Sequence, residues 1–101
     1  MNTARIPVPY ERIAAFCRKW KVVEFALFGS VLTDEFRPDS DVDVLVTFEE
    51  GVPWSLWDFG DMRDELAGIL GREVDLVEKR ALRNPFRKHS ILSTRQVVYA
   101  A

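Results

Sequence analysis

Cysteine occurs once in these 101 residues, at position 17, and histidine once, at position 89. A lone cysteine excludes an internal disulfide and a cysteine-based zinc cage. Cys17 falls on an apolar stripe with no cationic activator in view, so it reads as a core residue and not a nucleophile. His89 stands by itself in a basic stretch and reads as a surface residue, not a catalytic base. No apolar run approaches the ~20 residues that cross a bilayer. The opening MNTARIPVPYERI lacks the apolar stretch of a signal peptide, so the chain is expected in a reducing cytoplasm. Internal repeats, low-complexity tracts and linkers are also missing. With 48% hydrophobic and 30% charged residues, the composition is that of a globular chain and not a disordered one. Its length supports one core and not two, so residues 1–101 are read as a single domain.

The net charge of −2 hides an uneven distribution. Residues 34–65 carry eleven acidic side chains against Arg37 and Arg63. Residues 78–95 carry six basic side chains against Glu78. The acidic stretch could hold cations and the basic one could meet an anion or an acidic partner, or both could be solvated faces.

Periodicity orders the elements. Ile13, Phe16, Cys17 and Trp20 recur at helical spacing. VVEFALF reads as a strand buried on both faces. VLTDEF, ahead of Pro38, leaves room for a short helix. DVDVLVTF is a second strand. Ser55 with Asp58 forms a capping box, and Phe59, Met62, Leu66, Ile69 and Leu70 give the next helix one apolar face up to Gly71. Gly60 and Gly68 weaken that helix by ~1 kcal/mol each, so they are expected to permit close packing. EVDLV is a third strand, Asn84-Pro85 caps a last helix, and QVVYA is a final edge strand. Trp20, Trp54 and Trp57 read as core or interface aromatics. The order α-β-α-β-α-β-α-β predicts an α/β layered domain.

Asp41 and Asp43 are anomalous inside an apolar β-branched run, because an unpartnered buried carboxylate is costly. In a strand they share one face, roughly 7 Å apart, while Val42, Val44 and Val46 point into the core. Two carboxylates presented together repel, and a hard divalent cation relieves the repulsion. Oxygen-only ligands suit Mg²⁺ or Mn²⁺ and argue against zinc. Asp75, between Val74 and Leu76, repeats the anomaly. If its strand adjoins the first, three carboxylates converge, enough for a two-metal site that clamps both sides of a phosphoryl displacement. Asp39, Asp41, Asp43 and Glu50 also match four positions of an EF-hand loop. Val44 stands where that loop needs glycine, however, and Pro38 where its first helix should run.

Gly29-Ser30 lies where a strand ends and a helix is expected to begin, a place where free N–H groups and a helix dipole attract phosphate. Glycine lets the backbone come close, and the Ser30 hydroxyl can donate to a phosphate oxygen.

Gly29-Ser30, ten residues, then Asp41-Val42-Asp43, with PDSDVDVLV and VDLVEKRAL around the carboxylates, resembles the minimal nucleotidyltransferase (MNT) family of the DNA polymerase β-like superfamily. The resemblance covers nearly the whole chain. It implies a mixed β-sheet of three or four strands with helices packed on it. It also implies transfer of a nucleoside monophosphate from an NTP such as ATP, with Mg²⁺. Carried over by residue, Asp41 and Asp43 would hold metals, and Asp75 would bind one metal and orient or deprotonate the acceptor hydroxyl. Gly29 and Ser30 would cradle the outer phosphates. Many such proteins are antitoxins paired with a HEPN-domain toxin, and some inactivate it by attaching AMP to a tyrosine. The expectation is therefore an adenylyltransferase with a protein acceptor. The alternatives are an antitoxin that acts by docking alone, or a nucleotidyltransferase for a small molecule or an RNA end. A single domain with no second unit for RNA or an antibiotic weighs against the last, and homo-oligomerisation is left open. Relatives often carry a basic residue just after Gly-Ser. Here Val31, Leu32 and Thr33 follow, leaving Arg37 or the basic segment as substitutes.

Overall fold

A computed structural model describes residues 4–101, so the first three residues of the opening stretch lie outside the described residues. The helical stripe forms α1, Tyr10–Trp20, which buries Ile13, Phe16 and Cys17. Lys21 ends it in the left-handed conformation, its N–H bonded to the Cys17 carbonyl. Burial pushes the Cys17 thiol up to about 12, against a small opposing effect of Arg18, so the thiol stays protonated and inert.

Four strands follow from the apolar runs: β1 Val22–Phe28, β2 Val42–Phe48, β3 Val74–Glu78 and β4 Gln96–Ala100. Their order is β3-β2-β1-β4. β1 is antiparallel to both β2 and β4, and β2 is parallel to β3, so the sheet is mixed. The parallel step requires a crossover, which α2, Leu56–Leu70, supplies. Its capping box is present: the Ser55 hydroxyl accepts from the Asp58 N–H and the Asp58 carboxylate from the Ser55 N–H, and Gly71 closes the helix at φ 70°. α3, Pro85–Thr94, is capped by the Asn84 side chain, which accepts from the N–H groups of Phe86 and Arg87. β4 lies at the edge, as its mixed pattern predicts.

Alternation then divides the core. Phe25, Leu27, Val42, Val44 and Val46 pack with residues of α1 and α2 on one face of the sheet. Ala26, Phe28 and Leu45 meet Leu82 and Ile91 of the α3 side on the other.

Two expectations change, and the tryptophans divide. The short helix expected over 31–36 is a single 3-10 turn at Gly29–Leu32. Thr33 stops it, its N–H and Oγ1 both donating to the Ser30 carbonyl at 2.9 and 3.0 Å. Gly60 and Gly68 do not serve close packing, since a β-carbon on either would meet nothing within 4 Å. Among the tryptophans, Trp20 and Trp54 stack edge to face at 5.2 Å, whereas Trp57 is 86% exposed and joins no core.

Candidate active site

Strand register assembles the carboxylates. Phe28, the last residue of β1, is paired with Asp43 of β2, and Asp43 is paired with Asp75 of β3. Asp43 shares its sheet face with Leu45, and Asp75 with Val77, so both lie on the α3 side beyond the end of that small core. Asp41 immediately precedes β2 and shares with Asp75 the wall of a cavity of about 510 Å³. Gly29 follows Phe28 at φ 77°, a conformation that favours glycine, and its α-carbon is packed directly on the Asp43 carboxylate. Ser30, next in the turn, lines a neighbouring cavity of about 470 Å³ with Gly29, Thr33 and Thr94. All five residues singled out in the sequence therefore gather around one end of β2. The 3-10 turn has four residues. The helix dipole expected at Ser30 is therefore replaced by the turn's own N–H groups and the hydroxyl.

Electrostatics set the character of the cluster. Asp43 is half-buried, and its carboxyl is held above its ordinary value of 3.8, first by burial and then by the charges of Asp75 and Asp41. The closeness of the Asp75 carboxyl group adds slightly to the rise. Arg87 opposes the shift. Ile91 of α3 packs beside Leu45. Arg87 stands one turn before Ile91 on the same helix face, just as Asp43 stands two residues before Leu45 on the same strand face. The guanidinium is thereby brought toward the carboxylates. No local pattern marks Arg87 apart from its basic neighbours, because the pairing depends on how α3 docks.

A second arginine escapes the sequence for the same reason. Arg72 Nη1 donates to the carbonyls of Pro38 and Arg37 at 2.9 and 3.2 Å, and its guanidinium lies 4.5 Å from the Phe36 ring centroid. One residue on, the Glu73 carbonyl accepts from the Val42 N–H at 2.9 Å. Arg72 thus fastens the loop leading into Asp41 to the start of β3. On the other side, Arg5 pairs with Asp34 at 2.7 Å and its N–H bonds the Val31 carbonyl at 2.8 Å, tying the Gly-Ser turn to the N-terminal segment.

The donor set fits a hard divalent cation: three carboxylates, no sulfur or imidazole, and one carboxyl whose pKa is raised by burial and then by its acidic neighbours. It is a cluster and not a finished cage. Among the described residues, no group of three acidic, histidine or cysteine side chains is set to hold an ion as it stands. Also among the described residues, no helix is long and apolar enough to cross a membrane.

Carboxylates beside a Gly-Ser turn, at one end of a mixed sheet layered with helices, are the arrangement of an enzyme that transfers phosphorus-bearing groups. A model of the nucleotidyltransferase domain matches residues 11–98, and the chain belongs to that family of enzymes. The protein adenylyltransferase MntA of Thermococcus cleftensis is 42% identical over 81 residues, which span 80% of this chain and 77% of that one. A solved structure assigned as a minimal nucleotidyltransferase superposes with a TM-score of 0.71 at 37% identity, covering 86% of each chain. The tri-AMPylated HEPN toxin of Shewanella oneidensis in complex with its MNT antitoxin gives a TM-score of 0.65 at 20% identity, covering 91% of this chain and 70% of that one. At that identity the likeness is one of fold.

Proposed function

We propose that this chain moves AMP from ATP to a hydroxyl of a protein partner, a tyrosine of a HEPN-type toxin, and so acts as its antitoxin. The observation that carries the reading is the register that pairs Asp43 with Asp75 while Gly29 lies against Asp43. In this reading the Gly-Ser turn binds phosphate, and the exposed Asp75 carboxylate beside it takes a proton. The name of the Thermococcus cleftensis relative and the AMPylated toxin in the Shewanella oneidensis complex support the choice of acceptor.

In this reading the turn's N–H groups and the Ser30 hydroxyl bind the outer phosphates, and Arg87 adds positive charge beside them. Asp75, exposed at the rim, orients the acceptor hydroxyl and takes its proton. The hydroxyl oxygen bonds to the α-phosphorus as the bond to the β-phosphate bridging oxygen breaks, and pyrophosphate leaves. Asp41, Asp43 and Asp75 are the residues that would hold Mg²⁺ or Mn²⁺, which supplies the charge that lets a triphosphate sit among carboxylates. A folded partner brings its own hydroxyl, so docking provides the orientation that an enclosing pocket would otherwise give.

Intact-mass spectrometry after incubation with ATP, Mg²⁺ and the purified HEPN-type partner tests this. One or more AMP additions are expected on the partner, and none with the Asp41→Asn/Asp43→Asn double variant. A partner that is bound and silenced without gaining mass would establish docking alone. Transfer to RNA or a small molecule, with the partner ignored, would overturn the protein acceptor.

A further inference from the structure

Leu56 and Trp57 are 89% and 86% exposed in the first turn of α2. Single exposed apolar residues need no explanation, but two adjacent large ones on a rigid turn do. The turn is rigid because the Ser55–Asp58 capping box fixes it. The neighbouring aromatics have found partners: Trp54 donates to the Trp20 carbonyl at 2.9 Å, and Phe59 stacks edge to face on Phe48 at 5.6 Å. Leu56 and Trp57 have not joined them.

The pair forms one end of a groove of about 510 Å³ that runs along α2 and ends at Asp75. β3 is an edge strand, so Asp75 is reached from this groove as well as from Asp43. Gly60 lies in the groove wall, and a β-carbon there would meet nothing within 4 Å. Glycine inside a helix is less stable than alanine, and no internal contact here requires it. It adds no side chain to that wall. The remaining polar wall is acidic: Asp61, Asp64 and Asp75 stand against Arg63, which lies 3.7 Å from Asp64.

We infer that this groove is the acceptor-docking surface, and that its occupant is a basic segment of the partner protein. An apolar or aromatic side chain of that segment would sit on Leu56 and Trp57, and its hydroxyl would reach Asp75. The inference rests on the protein-acceptor reading above and adds the chemistry of the acceptor. Charge complementarity selects a basic segment, and continuity with Asp75 selects a substrate over a bystander.

The test compares wild type, Leu56→Ala/Trp57→Ala, and Gly60→Leu, using the purified HEPN-type partner, ATP, and paired tyrosine peptides rich in arginine or in glutamate. Both variants should weaken partner affinity at least tenfold and raise KM for the partner. ATP affinity should be unchanged, and the Gly60→Leu chain should melt no lower than wild type. Wild type should modify the arginine-rich peptide in preference to the glutamate-rich one, and lose that preference at high salt. Unchanged partner affinity with AMP transfer intact would overturn the groove and leave the enzymatic reading standing. Weakened ATP binding in Leu56→Ala/Trp57→Ala would make the tryptophan a base-stacking platform. Wild-type self-association abolished by the same substitutions would make the patch an interface between copies. Either result overturns the inference. If wild type neither binds nor modifies the partner or the peptides, both readings fall together.

Discussion

A β-carbon added to Gly29 would stand 2.2 Å from Oδ2 of Asp43, nearer than any real contact. The Gly-Ser turn and the Asp43 carboxylate are therefore packed against each other. Gly29→Ala meets both this clash and a φ of 77° that a side chain disfavours. Backbone strain alone costs about 1–3 kcal/mol. We expect urea denaturation to show a loss of at least that size, and calorimetric titration to show ATP binding abolished. Retained ATP affinity would mean that the carboxylate can swing away at no functional cost.

Ser30 tests the turn without touching the carboxylate. In the proposed reading its hydroxyl binds the outer phosphates, so Ser30→Ala should weaken ATP more than AMP. The difference should be about 1–3 kcal/mol, as for a hydrogen bond to a charged group. Equal losses for both nucleotides would reduce Ser30 to a turn residue.

Asp43 makes a prediction with a definite sign. Its folded-state pKa is raised above 3.8 by burial, then by Asp75 and Asp41. The folded chain therefore keeps a proton that the unfolded chain releases. That contribution to stability is complete below the ordinary value and is lost as pH rises through the raised one. In chelator at neutral pH, Asp43→Asn should melt higher than wild type, because the amide stays neutral and can donate to Asp75. The gap should close as pH falls toward 4. Added Mg²⁺ should raise the wild-type melting temperature and leave that of Asp43→Asn unchanged. A variant that melts lower in chelator would mean that the carboxylate is structural.

Arg72 should matter for position and not for charge. It makes two hydrogen bonds and one cation–π contact to the loop before Asp41. Together these are worth about 1–3 kcal/mol. Arg72→Ala should lose that stability and speed amide exchange at residues 38–41. Arg72→Lys should recover little, because it lacks the planar fork. Unchanged exchange with lower stability would show that the loop is held by other contacts.

The carboxylates could be found in the sequence because they break a rule locally: Asp41, Asp43 and Asp75 interrupt β-branched runs that otherwise exclude charge. The same alternation that exposed them assigned Val42, Val44 and Val46 to the opposite face, where they pack. Gly29-Ser30 could be read as a turn, but its contact with Asp43 arises from the pairing of β1 with β2 across thirteen intervening residues. The helix expected after it failed on a single side chain, since Thr33 bonds back to Ser30 and ends the turn early. Trp54 and Trp57 are alike in type and three residues apart, yet one packs and the other does not. The N-cap between them decides the outcome by fixing where the helix begins. Arg72 and Arg87 carry no local signal at all, because their partners come from other elements.

Arg87 gives the last prediction. The residues after Gly29-Ser30 are uncharged through Thr33, so in the proposed reading the cation for a triphosphate comes from elsewhere. Arg37 is exposed in the loop that Arg72 holds. Arg87 already acts on Asp43 from α3, lowering a pKa that burial and Asp75 raise. Removing it has two consequences with different readouts. Lost phosphate attraction should raise KM for ATP about tenfold, equivalent to about 1.4 kcal/mol. With its counter-charge gone, Asp43 should hold its proton to still higher pH, so the acid limb of the kcat/KM profile should move upward. Arg87→Lys should restore much of the pH limb, which needs only charge, and less of the KM, which also uses the fork. Arg83→Ala, exposed in the same basic segment, should change neither. If Arg83→Ala and Arg87→Ala prove equivalent, the segment acts as a diffuse positive field, and the turn binds phosphate without a dedicated cation.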